Sequence, residues 1–199
     1  MSTANVVREV QSHPAAGGMP VSRPVADSSF ARRVLAALRI ATGFVFLWAF
    51  LDKLVGLGYS TSGAKSWVSG GSPTTGFLGH ADLGPFQSFF RSLSGSTVVD
   101  VLFMACMLGV GVAVIAGVAL RLSAIAGGVM MLMMWAAEWP LARFTSDGTA
   151  AGSSNPLVDY HIIYALALTV VAATAAGATW GLGKRWAALP AVAKFSWLR

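Results

Sequence analysis

Near the C-terminus the chain reads SSNPLVDYHIIYALAL, which sets Asp159 and His161 at the mouth of a long apolar run. An acid beside an imidazole can hold a proton and hand it on, because imidazole titrates in the neutral range. Tyr164 follows His161 by three residues and falls on the same helical face. Two more acids sit at the ends of apolar runs: Asp52, with Lys53 next to it, and Glu138, between Trp135 and Trp139. Ionisable groups at membrane depth are costly, and they usually face the inside of a bundle and mark a pathway or relay. Asp52, Glu138, Asp159 and His161 are therefore the expected proton carriers. A purely structural network of interhelical ion pairs is the other reading of the same charges.

What is missing narrows the chemistry. Of the three histidines, His13 lies in the N-terminal segment and His80 in a loop, so only His161 stands in an apolar run and a bis-histidine haem has no ligand pair. The single cysteine, Cys106, falls in the middle of such a run, which removes dithiol exchange, iron-sulfur clusters and a Cys-rich zinc site. There is no glycine loop for phosphate and no dinucleotide fingerprint. No bound haem, iron-sulfur cluster, flavin or metal is expected. Any redox role must use a diffusible carrier, and a lipid-soluble quinone, which takes two electrons and two protons and reaches the site through the bilayer, is the one expected.

The elements that must position these residues follow from composition. The 199 residues are 55% hydrophobic and only 11% charged, with a mean hydropathy of +0.66. These values lie outside the range of ordinary soluble domains and make the lipid bilayer the expected surroundings. A hydrocarbon core takes about 20 helical residues. Four stretches meet that length: roughly 34–57, 98–120, 122–139 and 156–182. The expected fold is an all-α integral membrane protein, a four-transmembrane-helix bundle at 31–183, with a short interfacial helix in its first outer loop. That loop helix is read from PFQSFFRSL, where Phe86, Phe89, Phe90 and Leu93 recur at one helical face. It would anchor at the interface or act as a lid.

Most of the 14 Lys and Arg residues precede the first run, follow the fourth, or lie at the turn between the second and third. The positive-inside rule then places both termini in the cytoplasm of a prokaryotic cell, with the chain multi-pass in its plasma membrane. The net charge of +6 is explained by this topology and by anionic headgroups, so no nucleic acid is implied. Residues 1–30 read as a disordered cytoplasmic tail. Residues 184–199 read as a basic cytoplasmic tail whose Trp186, Phe195 and Trp197 suit the inner headgroups, with Pro190 breaking it as a helix. Small residues at four-residue spacing, such as Ala105 with Gly109 and Ala173 with Gly177, allow close helix approach.

In this orientation the second and fourth runs begin at the outer surface, where the helix dipole favours Asp100 and Asp159 in a first turn. The first and third runs end there, and the dipole disfavours Asp52 and Glu138, so each needs a partner across the bundle. Trp48 and Asp52 share one face of the first run, while Lys53 continues the Ala49 face.

The stretches LRIATGFVFLWAFLDKLVGLGY, GGSPTTGFLG, GPFQSFF, GVALRLSAIAGG and NPLVDYHIIYALAL, in this order, resemble the DoxX family of bacterial and archaeal membrane proteins. The likeness runs from about Arg32 to Leu182. It implies a four-helix membrane bundle and a subunit of a quinone-linked oxidoreductase, since the family includes the large subunit of thiosulfate:quinone oxidoreductase, which works with a second subunit. Oxidation of thiosulfate or another small sulfur donor at the outer face is what the likeness implies. Under that reading Lys53 and Arg143 would attract the anionic donor. Asp52, Glu138, Asp159 and His161 would move protons, and Trp48, Trp135 and Tyr164 would flank the quinone. The partner would be a second oxidoreductase subunit or another copy of the chain. The alternative is a non-catalytic membrane partner or scaffold of a redox complex.

Overall fold

The computed structural model describes residues 28–198, and they are almost entirely helices and turns, with one isolated bridge between Phe144 and Ala150. Residues 1–27 and 199, most of the expected N-terminal tail among them, lie outside the described residues. Eight α-helices follow in order: α1 (Ser29–Val55), α2 (Thr75–Leu78), α3 (Gln87–Leu93), α4 (Thr97–Ala116), α5 (Leu120–Glu138), α6 (Tyr160–Ala173), α7 (Gly183–Ala187) and α8 (Pro190–Lys194). Of these, α1, α4 and α5 are long and apolar enough to cross a membrane.

Local chemistry sets the ends of these helices. Ser28 caps α1 by accepting from the Ala31 amide at 3.0 Å, so α1 starts a turn and a half earlier than the hydropathy pattern suggests and takes in Ser29 and Phe30. Gly56, at φ 71°, ends it in the left-handed conformation that glycine adopts without strain. Gly117 ends α4 in the same way, and only Val118 and Ala119 separate it from α5. So tight a turn makes α4 and α5 antiparallel neighbours.

The helices α1, α4, α5 and α6 pack in a ring, each against two others. Phe46, Val110, Val114, Met131, Leu168 and Val171 form the shared core. Glycine brings the backbones together where α1 meets α4: a Cβ on Gly43 would press on Ile115, and one on Gly111 would press on Leu47. By contrast, Gly109 and Gly128 face open space, so the four-residue spacing around them serves no packing here. One end of the ring, the turn end, holds the α4–α5 turn. The other, the loop end, holds the long segment 56–96 and the residues between α5 and α6.

The fourth apolar run behaves differently from the other three. Its helix α6 has 14 residues and is ~21 Å long, less than the roughly 30 Å of a hydrocarbon core. At the start, Asn155 accepts from the Leu157 and Val158 amides and turns the chain before the helix begins, so Asn155 and Pro156 make a turn ahead of α6 instead of its first residues. At the far end, Ala175 takes a left-handed φ of 47°, and residues 174–182 fold into a compact turn. Gly177 lies so close to Gly117 that a Cβ would overlap its carbonyl oxygen. The segment thus gives up helix to dock on the α4–α5 turn.

That docking is held by Arg39, a fully buried side chain of α1. Its guanidinium donates to the Val114 carbonyl at 2.7 Å, to the Ile115 carbonyl, and to those of Thr179 and Trp180 at 3.3 and 2.9 Å. The last four carbonyls of α4, left without helical partners, are all served. Gly117 and Val118 amides take Ala113 and Val114, the Leu182 amide takes Ala116, and Arg39 takes Val114 and Ile115. Sequence reasoning counts Arg39 only as a positive flank.

In the C-terminal segment, Pro190 is the first residue of α8, where a missing amide costs nothing. It separates α7 from α8, as its place in the sequence suggests. The Trp186 indole then donates to the Leu198 carbonyl at 2.7 Å and folds the segment back on itself.

Candidate functional site

The loop end carries a cluster built by two helix termini. Asp159 caps α6: its Oδ1 accepts from the His161 and Ile162 amides at 3.0 and 3.2 Å. Its other oxygen, Oδ2, lies 2.8 Å from His161 Nδ1. One carboxylate therefore both starts the helix and orients the ring on its second residue. Glu138, the last residue of α5, brings Oε2 to 3.8 Å from the same Nδ1 and accepts the Tyr160 hydroxyl at 2.8 Å. The dipole penalty on Glu138 at a helix C-terminus is thus offset by two neighbours from α6. This is the partner across the bundle that its position requires.

His161 is fully buried. With Nδ1–H given to Asp159, its Nε2 is buried and has no hydrogen-bond partner. A buried polar atom left unpaired costs about 1–3 kcal/mol, and such atoms need a reason. The ring lines a small cavity of about 150 Å³ between α1, α4, α5 and α6. Lys53, Tyr160 and Tyr164 also line it, and the rest of the wall is Val, Phe, Ala and Met.

The donor atoms of Glu138, Asp159 and His161 lie within 4.8 Å of one another, compact enough for a cation or for a hydrogen-bonded proton chain. Their contacts favour the chain. Asp159 and His161 already stand at hydrogen-bond distance, and Asp159 Oδ1 is committed to the helix cap. Glu138 is partly exposed whereas His161 is not, so the cluster runs from the surface to the cavity.

The other expected site residues separate into two groups. Lys53 and Tyr164 join the cavity, with Ala49 one turn before Lys53 on the same face. Asp52 points to the other side. It is buried, and its carboxylate accepts from the Tyr59 amide at 3.2 Å and from the Ser60 amide and hydroxyl at 3.0 and 2.6 Å. It ties the start of the long loop to α1 and has no contact with the His161 cluster. Trp48 packs on Phe44 and Tyr59 beside it. Trp135 donates its indole N–H to the Leu157 carbonyl at 3.1 Å and rests against Trp139, and neither Trp48 nor Trp135 lines the His161 cavity. Arg143 is exposed past the end of α5, with its guanidinium over the Phe144 ring.

Asp100, explained in sequence by its dipole, has a further task. It is buried, and its Oδ1 accepts from the Ser72 hydroxyl at 3.0 Å and from the Thr74 amide and hydroxyl at 3.1 and 2.6 Å. The long loop is therefore pinned at both ends by a buried acid, Asp52 on α1 and Asp100 on α4. Between them, α2 and α3 sit over the bundle, and Phe90 is buried with Ala81 and Ala137. In the segment after α5, the Thr145 hydroxyl, with the Thr149 amide and hydroxyl, holds the exposed Asp147 carboxyl down to about 2. Two serines, three threonines and a tyrosine hydroxyl thus do what sequence spacing does not reveal. Their sole signal is the run of Ser and Thr in an otherwise apolar chain.

Beneath α2 and α3 lies a second, larger cavity of about 330 Å³ between α4 and α5. Comparison with known proteins finds no matching family model, curated protein or solved structure.

Proposed function

We propose that this chain is a DoxX-like, multi-pass subunit of a quinone-linked oxidoreductase in a prokaryotic plasma membrane. Its loop end faces outward, both termini are cytoplasmic, and α6 with its flanking turns completes a fourth crossing. The loop helix α3 lies at the outer interface. The observation that carries this reading is His161: buried, oriented by a carboxylate on one side, its Nε2 without a hydrogen-bond partner, and the residue itself among those that line a small, largely apolar cavity. A quinone ring matches that cavity in kind, an apolar body with one polar atom at each end.

The residues divide the work. Neutral His161, with Nδ1–H on Asp159, presents a lone pair at Nε2 and can take the proton of a quinol hydroxyl. Protonated His161, flanked by Asp159 and Glu138, presents Nε2–H and can donate to a quinone oxygen. Glu138 exchanges protons with solvent, and Tyr160 fixes its orientation. Lys53 also lines the cavity, and its ammonium, 3.5 Å from the Ser60 hydroxyl, keeps further protons that could reach the other ring oxygen. Electron balance needs a donor: two thiosulfates joining to tetrathionate release two electrons, which with two protons convert quinone to quinol. That oxidation belongs to the outer face and to a second subunit, with the exposed Arg143, past the end of α5, as a cation for the anionic donor.

The test is binding of a chainless 1,4-benzoquinone to the full chain in nanodiscs. Saturable binding is expected, weakened about tenfold or more in His161→Ala, the loss of one hydrogen bond to a charged or strongly polar partner. Equal binding by wild type and His161→Ala at equal thermal stability would sink the reading.

A further inference from the structure

The larger cavity differs from the His161 cavity in having no polar function to offer. Of its walls, only Thr74 and Cys106 carry polar side-chain atoms. The Thr74 hydroxyl is given to Asp100 at 2.6 Å, and the Cys106 thiol lies 3.8 Å from the Ala126 carbonyl. Both polar groups are satisfied inside the protein. A water would need two to four polar partners and finds none free. Any occupant must be apolar.

Position identifies which apolar occupant. The roof is made by Phe77, Leu78 and Phe90 of the long loop, which Asp100 pins in place. The lip is made by Leu102, Val129 and Met133, all strongly exposed on the outer surfaces of α4 and α5, so the cavity opens sideways to the lipid. At its back, Phe103, Met130 and Met134 belong to the walls of both cavities. Two of these three are methionines, unbranched and able to change rotamer with little cost. An apolar passage from the bilayer therefore reaches the chamber of His161 through one layer of adaptable side chains.

We infer that the larger cavity holds the isoprenoid chain of a quinone whose ring occupies the His161 cavity, and that Phe103, Met130 and Met134 form the throat between them. This rests on the proposed quinone function and adds a second site to it. The chain moves from one apolar medium to another, so it gains no hydrophobic free energy on leaving the bilayer. Its role is to direct the ring to one entrance, and the informative readout is where the chain lies, more than how tightly the whole molecule binds.

The experiment uses the full chain in phosphatidylcholine nanodiscs and a benzoquinone with a diazirine at the end of a prenyl-like chain. After photolysis, adducts are mapped by mass spectrometry. They should concentrate on Leu102, Val129 and Met133 and on the throat. Val129→Trp fills the lip from a lipid-facing position where folding tolerates bulk, and Leu102→Trp does so from the opposite helix. Each should remove those adducts, while the chainless ring keeps its wild-type affinity. Adducts spread evenly over all lipid-facing helix surfaces, with the chainless ring still bound at His161, would overturn the chain assignment and leave the ring site standing. Absence of saturable ring binding would instead defeat the quinone reading itself. In that event, labelling of the same residues by a diazirine phosphatidylcholine would give the cavity to a lipid acyl chain and overturn the isoprenoid assignment.

Discussion

Replacing Arg39 with methionine should unlock the turn end while leaving the site intact. The guanidinium serves four carbonyls, and one of them, Val114, also accepts from the Gly117 amide at 3.1 Å. Three carbonyls, those of Ile115, Thr179 and Trp180, are then left to find new donors in a part-buried place. Hydrogen bonds to a charged group contribute about 1.5–3 kcal/mol each, and breaking a buried charged arrangement costs about 3–5 kcal/mol in all. Methionine fills much of the vacated volume and removes the cost of burying a charge, which offsets part of this. A net loss of about 3 kcal/mol is expected, equivalent to a melting temperature lower by about 6–12 °C for a chain of this size. Thermal melting in mild detergent, followed by a fluorescence or light-scattering readout, measures it. Arg39→Lys should fall between, because an ammonium has three donors for four acceptors. Lys53 lies ~21 Å further along α1, so ring binding measured below the melting range should not change in either variant. An Arg39→Met protein that melts within about 2 °C of wild type would refute the view that this side chain holds α4 and residues 174–182 together.

Other outcomes separate structural from chemical roles. Asp159→Ala removes two cap bonds and the partner of His161, and should cost about 1 kcal/mol or more in stability. Asp159→Asn keeps an oxygen for the cap but turns an amide N–H toward Nδ1, which forces the other imidazole tautomer. It should melt near wild type yet lose quinone turnover; retained turnover in Asp159→Asn would remove the Asp159–His161 contact from the mechanism. Asp100→Ala frees Ser72 and Thr74, and should speed hydrogen exchange at the Thr74 amide by about 30-fold, corresponding to ~2 kcal/mol of local stability. Exchange at the wild-type rate would show that the loop is held by its apolar contacts alone.

The faces of α1 illustrate how far sequence reading carries. Helical spacing separates Trp48 and Asp52 from Ala49 and Lys53, and in the fold the first pair meets the loop while Ala49 and Lys53 line the cavity, the Lys53 ammonium also reaching Ser60 of the loop. Spacing does not say which pair holds the chemistry. Asp52 has the attributes of a proton carrier in sequence, but the Tyr59 and Ser60 amides that occupy it come from a turn whose course depends on Gly56 and the residues after it. Conversely, spacing puts His161 near a helix start without saying that it is buried. Only the position of Glu138, 23 residues earlier in the chain, and the packing of α5 against α6 make it buried and doubly flanked.

The chain's own composition determines that it is helical and membrane-compatible, because an apolar run that leaves water must satisfy every backbone group within itself, and a helix is the local solution. It also determines the three long helices, the tight α4–α5 turn and the short helix under PFQSFF, all of which depend on residues close in sequence. Tertiary structure alone decides the rest. The fourth apolar run stops after 14 helical residues because Gly177 must meet Gly117 and because Arg39, from another helix, rewards the carbonyls of Thr179 and Trp180 for leaving helical geometry. The partners of every buried acid are likewise chosen across the bundle or across a loop. Hydrogen bonds of that kind depend on distance in space, which periodicity along a chain does not encode.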